Sequence, residues 1–251
     1  MVHFFTVVFY QPILNLLIFL YNTISFHDLG VAIILLTVII KFALWPLGRS
    51  SIKSQKALQD LQPKLEELKK KYPNDKAELS KATMEMYKEN KVNPFSSCLP
   101  LLIQLPFLLA VYRVFRDGVS NKLDLVYSFI NRPEIVNIIS FGFLNLAKPN
   151  VYLAVLAGLA QFVQAKMMFT KKPEINTPGS KDESMTAIMN KQMLYFMPAI
   201  TIFIGISLPG GLTLYWLVLT LITALQQFVV FRQKTAADDH SGKTLEGKII
   251  S

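Results

Sequence analysis

The 251-residue chain has a single cysteine, Cys98, so no internal disulfide framework exists. Charge is also scarce: 17% of residues are Asp, Glu, Lys or Arg, against about 25% in an ordinary soluble domain. Its three histidines, His3, His27 and His240, lie outside the long apolar runs. No His-Glu-x-x-His zinc pattern is present, and no serine or cysteine in those runs has a histidine base beside it. Intramembrane hydrolysis is therefore unsupported, and no cofactor or metal site is expected. What is abundant is apolar side chain, at 52% of residues, with a mean hydropathy of +0.37. Disorder is excluded as a description of the whole. The 26 basic against 17 acidic residues give a charge of +9, which fits either a nucleic-acid binder or a membrane protein with its cations on one side.

Where the charges fall decides between the two. Uninterrupted apolar stretches near twenty residues match the thickness of a bilayer core. Only Lys41 is charged from Leu29 to Leu47, nothing is charged from Pro94 to Val111 or from Val151 to Ala165, and Gln192 to Phe231 is free of charge over 40 positions. Pro209, Gly210 and Gly211 divide that last stretch into two. Five spans are expected, at 29–47, 94–116, 151–170, 192–208 and 211–231. Lys and Arg mark cytoplasmic connections. They number eleven in 48–93, four in 171–191 and four in the tail 232–251, but three in 117–150. Those counts put the 117–150 loop outside and the C-terminus in the cytoplasm. The loop, with Leu123, Leu125, Phe129 and Ile138, is expected to form amphipathic helices on the outer face, and the tail from Thr235 to lack regular structure.

Residues 1–28 are read as an N-terminal interfacial segment, with a helix from about Pro12 to Ile24 lying in the outer interface. The run Phe4–Ile24 lacks the positive start and small-residue cleavage site of a signal peptide. A sixth span over the same residues is the alternative.

Between the first two spans, Arg49 to Asn93 carries eleven basic and seven acidic residues. Leu58, Leu61, Leu65 and Leu68 recur at helical spacing. Tyr72 to Asp75 break the pattern, and Asn74 is the expected N-cap of a second helix ending near Asn90. The segment reads as an antiparallel helical hairpin outside the membrane. It is either a solvated connector or a basic arm for anionic lipid or RNA.

Lys41 stands out, because a lysine at the centre of a membrane helix costs about 2.5–3.5 kcal/mol on insertion scales. Snorkelling toward the cytoplasmic interface is the bland explanation. Helical side chains tilt toward the N-terminus, here the outer side, and the spans hold no acidic partner, so a hydrated, protein-facing cation is preferred. Thr37 lies one turn before it on the same face. Gln104, Gln161, Gln164, Thr220, Thr223, Gln226 and Gln227 are the further polar candidates, each equally able to bond helix to helix.

Residues 91–112, KVNPFSSCLPLLIQLPFLLAVY, closely resemble the second-span signature of the YidC/Oxa family of membrane protein insertases. Leu61-Gln62-Pro63-Lys64, Gln164-Ala165-Lys166-Met167 and Gly211-Leu212-Thr213-Leu214-Tyr215-Trp216 look like further family motifs, in order, over roughly residues 10 to 235. The resemblance implies an all-α integral membrane protein with a five-helix core, a cytoplasmic hairpin and a groove open to cytoplasm and lipid but closed outside. It implies a groove cation at Lys41, where the family typically has Arg and its planar fork of donors. Thr37 and Trp216 match positions facing the inserting segment, and Gln164 matches a polar groove position. Gln104 and Thr220 complete the expected groove set. The resemblance further implies a non-catalytic insertase of a bacterial cytoplasmic membrane, without the large outer domain of Gram-negative members. Its implied partners are nascent membrane proteins, the ribosome and the Sec translocon, with anionic lipids on the hairpin and no small-molecule substrate. The competing function is a small-solute carrier or channel with Lys41 as anion counter-charge, although the internal repeats common in carriers are not evident.

Overall fold

A computed structural model of the chain describes residues 2–93, 99–117, 123–168 and 192–249. Cys98 and the loop 171–191 lie outside the described residues, as do the first residues of the expected second span.

Helix α1 (Val2–Phe5), a π-helical turn (Thr6–Tyr10) and α2 (Gln11–Thr23) form one continuous helical run. The helix thus begins about ten residues before Pro12. Proline is tolerated there because it sits in the first turn of α2, where its missing N–H costs least. His3–Thr23 is long and apolar enough to cross a membrane. It also carries Gln11, Asn15 and Asn22, whose side-chain amides bond backbone of the 123–150 loop.

Helix α3 (Leu29–Ala43) is capped by Asp28, which accepts from the Gly30 and Val31 amides at 2.8 and 3.1 Å. Within the expected 29–47 span the helix bends. Leu44 leaves helical geometry, and α4 (Trp45–Asp60) starts with Pro46 in its first turn, turned by 69° from α3. A proline at N1 restarts a helix readily but cannot continue one, because it has no N–H for the preceding turn. Beyond a second break at Leu61 come α5 (Gln62–Lys71) and α6 (Lys76–Glu89). Asp75, not Asn74, caps α6, accepting from Ala77 and Glu78 at 3.1 and 2.9 Å. Lys64 Nζ lies 3.5 Å from Asn90 Oδ1, so the start of α5 is beside the end of α6.

Helix α7 (Leu99–Arg116) contains Pro106. The described part of the segment after it does not form the amphipathic helices expected. Among its described residues, 123–125 make one tight turn, and strands β1 (Ile139–Ser140) and β2 (Leu144–Asn145) pair antiparallel. Gly142, at φ +80°, and Phe141, at φ +54°, make the reversal between them. Leu125 and Leu123 pack inward, whereas Phe129 is exposed.

Helix α8 (Val151–Met168) is capped by Asn150, which accepts from Leu153 at 3.0 Å. A π-helical turn (Gln192–Phe196) leads into α9 (Met197–Gly205), and α10 (Gly210–Ile249) closes the chain. The helix continues through the tail expected to lack structure from Thr235, since no proline follows Pro209 to stop it.

The buried core joins Leu14, Leu17 and Ile18 of α2, Ile33 and Leu36 of α3, Val111 and Val114 of α7, and Tyr215 of α10. In lipid, helices gain little from hydrophobic burial against each other and approach closely through small residues. The α8–α9 pair does this. A β-carbon at Gly158 would strike Ile202, and one at Gly205 would press on Ala154. The hydroxyl of Thr201 donates to Gln161 across the same seam.

Candidate functional site

Helices α3 and α10 are parallel neighbours held in register at both ends. At one end the N-termini of α3, α8 and α10 converge on residues 138–150. The Ser140 hydroxyl and the Phe141 amide donate to the Asp28 carboxylate, the latter at 2.7 Å. The Gly30 amide also donates to Ser140 Oγ at 3.1 Å. The first amides of α10, on Gly210 and Gly211, donate to the Lys148 and Leu146 carbonyls, both at 2.9 Å. Gly30 and Gly210 are required there, because a β-carbon would meet the Ser140 side chain or the Lys148 and Asn145 carbonyls. Burial alone would raise the Asp28 carboxyl, but hydrogen bonds from Ser140, Phe141, Val31 and Gly30 outweigh it and hold the group below its ordinary range.

At the other end, Gln226 Nε2 donates to the Trp45 carbonyl at 3.0 Å. Its amide lies over Gly48, where a β-carbon would come within 2.9 Å of it. Lys56 Nζ stands 5.9 Å from the Phe231 ring centre, so α4 stays against α10 beyond the bend.

Lys41 occupies the last turn of α3, half-buried. It forms no ion pair with any described residue. The bend at Leu44 brings it within a turn of the helix end, where the negative end of the helix dipole favours a cation. Lys41 lies four residues before Trp45, and Thr220 about 9 Å before Gln226 along α10 at about 1.5 Å per residue, so both lie on the N-terminal side of the Gln226–Trp45 bond.

The other expected groove residues are placed differently. Thr37 is fully enclosed, at 0% exposure, and its hydroxyl donates to the Ile33 carbonyl of its own helix at 2.7 Å. Thr220 is buried, while Trp216, one turn before it, is half-buried. Gln104 of α7 donates to the Tyr215 hydroxyl, and Tyr215 is completely buried. Gln164 is half-buried on α8, which packs against α9 and α10 rather than α3. The structure therefore brings Lys41 and Thr37 together on α3, and Trp216 and Thr220 on α10 beside it. Gln104 is tied to α10 through Tyr215, and Gln164 lies across α10 from Lys41.

Three residues of this arrangement lie outside the expected site. Asp28 carries a readable signal, an aspartate immediately before an apolar helical run. Tyr215 lies inside the Gly-Leu-Thr-Leu-Tyr-Trp motif, and Gln226 is one of several polar residues in the last span.

The family model described as "60Kd inner membrane protein" matches residues 19–237. Several relatives carry the name "Membrane protein insertase YidC". That of Fusobacterium nucleatum is 37% identical over 228 residues, covering 89% of this chain and 97% of the relative. That of Syntrophus aciditrophicus is 36% identical over 223 residues, covering 89% of this chain but 36% of the relative. The Geobacter sulfurreducens protein is 33% identical over 229 residues, 91% of this chain and 38% of the relative. The chain thus spans little more than a third of the length of the Syntrophus and Geobacter relatives and nearly all of the Fusobacterium one. A match over most of the chain, together with several helices as long and apolar as a membrane crossing, places it: the chain belongs to the 60Kd inner membrane protein family, as a multi-pass membrane protein of YidC type.

Proposed function

We propose that this protein inserts newly made membrane proteins, receiving the polar part of a client on the cytoplasmic side between α3 and α10. The insertion barrier for such a segment is the cost of taking acidic and polar groups past the head groups into hydrocarbon. A cation held part of the way into the membrane, with water around it, lowers that barrier by offering solvation and opposite charge. Lys41 is the residue assigned this role. The observation that carries the reading is its position: half-buried at the end of α3, unpaired among the described residues and on the helix that packs beside α10. The client's apolar part then leaves sideways into lipid, drawn by about 25 cal/mol per Å² of apolar surface removed from water. No nucleotide is used.

The five-span topology with a cytoplasmic C-terminus belongs to the same proposal and rests on the distribution of Lys and Arg. The ribosome and the Sec translocon are the proposed partners. The basic α4–α6 arm is the part proposed to meet anionic lipid.

Reconstituted in liposomes, Lys41→Ala is expected to slow insertion of a small client with an acidic translocated region several-fold. Lys41→Glu should abolish it, Lys41→Arg should retain it, and a client without acidic residues should be little affected. Wild-type insertion by Lys41→Ala for several acidic clients would refute the electrostatic step. Anion flux without insertion would favour the carrier reading instead.

A further inference from the structure

The turn joining α2 to α3 and the described part of the 123–150 loop hold an unusual set of exposed apolar side chains. Phe26 is 96% exposed, Phe129 and Ile135 are each 81% exposed, and Phe143 is 82% exposed. None lies in a helix as long and apolar as a membrane crossing. Phe26 and His27 both sit at left-handed backbone angles, φ +54° and +61°, a region non-glycine residues seldom occupy. For His27 the conformation is repaid by an edge-on contact with Tyr21 at 5.4 Å. The Phe26 ring stands clear of the described structure.

These side chains are held out rather than left loose. The Asn22 side chain donates to the Asn131 carbonyl at 2.7 Å, and the Asn137 amide donates to the Tyr21 hydroxyl at 2.9 Å. Asp28 holds Ser140 and Phe141. Residues 131, 137, 140 and 141 are therefore tied to the end of α2 and the α2–α3 turn, and the exposed side chains lie on or beside these tied segments. Large exposed apolar side chains gathered on segments tied together in this way mark an interaction site. The start of α8, which follows the loop directly, also exposes apolar side chains, Val151 and Tyr152. Residues 117–150 carry three acidic and three basic side chains, so no electrostatic attraction to anionic lipid is built in.

We propose that the α2–α3 turn and the 129–143 segment form an apolar anchor seated in the headgroup–acyl boundary of the membrane, with Phe26, Phe129, Ile135 and Phe143 as the inserted side chains. Aromatic side chains favour that boundary, and insertion by apolar contact alone does not require charged lipid. The inference rests on the membrane-embedded reading of the chain but not on insertase activity, which the test does not measure.

In a Cys98→Ser background, Phe26→Cys, Phe129→Cys and Phe143→Cys are labelled with an environment-sensitive fluorophore and reconstituted in phosphatidylcholine vesicles. Lys148→Cys, at an exposed charged position of the same loop, is the control. The expected result is at least threefold stronger quenching by lipids nitroxide-labelled near the head group than at Lys148→Cys, with iodide quenching reduced by a similar factor. Melting temperatures equal to the parent's verify that the fold survives labelling. Iodide access at all three sites equal to that at Lys148→Cys would overturn the proposal and assign the patch to a protein partner.

Discussion

Replacing Asp28 by alanine separates two jobs that one carboxylate performs. As an N-cap it satisfies the Gly30 and Val31 amides, and losing such a cap costs about 1 kcal/mol. It also accepts from the Ser140 hydroxyl and the Phe141 amide. Ser140 is fully buried, and stranding a buried donor costs about 1–3 kcal/mol. The total expected for Asp28→Ala is about 2–4 kcal/mol, the sum of a cap and a stranded donor. Asp75 provides the internal control. It caps α6 with the same two-amide geometry, at 3.1 and 2.9 Å, but is exposed and holds no loop, so Asp75→Ala should cost only about 1 kcal/mol. For a chain of this size each kcal/mol moves the melting midpoint by about 2–4 °C. In mild detergent Asp28→Ala is expected to melt about 4–16 °C lower and Asp75→Ala no more than about 4 °C lower. Equal, small shifts for the two would show that the contacts to Ser140 and Phe141 contribute nothing beyond capping, and the tie between α3 and the loop would have to be abandoned.

Acid should loosen the same contact, with a defined sign. The Asp28 carboxyl is held below its ordinary value in the folded protein. Its contribution is therefore fully present above the unfolded value of about 3.9 and is lost as pH falls through the folded value. Asp28→Asn should flatten that part of a melting-temperature curve recorded from pH 6 downward, and an unchanged acid slope would contradict the assignment. In the α8–α9 seam, Gly158→Val is expected to cost about 1–3 kcal/mol by overpacking, because its β-carbon enters the space of Ile202. Adding Ile202→Ala should recover a substantial part of the lost melting temperature. No recovery would place the damage elsewhere.

Long features of this chain are legible in its sequence because lipid imposes a simple requirement, a run of apolar residues able to satisfy its own backbone. The uncharged stretch from Gln192 to Phe231, cut by Pro209-Gly210-Gly211, holds α9 and α10 with the break at that cut. The leucine spacing in 58–68 falls on helix except at Leu61, where α4 gives way to α5. Short-range geometry is harder to read. Pro46 is a helix-start signal, but it lies inside an apolar run long enough to read as one span, which hides the bend at Leu44. Two-residue strands leave no periodicity to detect. Asn74 and Asp75 are both good caps, and only the backbone angles choose between them. For the site, the sequence singles out Lys41 but cannot tell an accessible threonine from an enclosed one. Thr37 shares its face and is shut in by neighbours from other helices.

The bond from Gln226 to the Trp45 carbonyl joins residues 181 positions apart, and Gln104 meets Tyr215 across 111. During synthesis the helices before it emerge well ahead of α10, so neither bond can form until α10 has been made. The register of α3 against α10, and with it the surroundings of Lys41, is therefore assembled later than the packing of α2 on α3. A ribosome-bound chain that stops short of Gly210 has α3 without its partner, and a protein proposed to help others into the membrane acquires its own working surface only when α10 arrives.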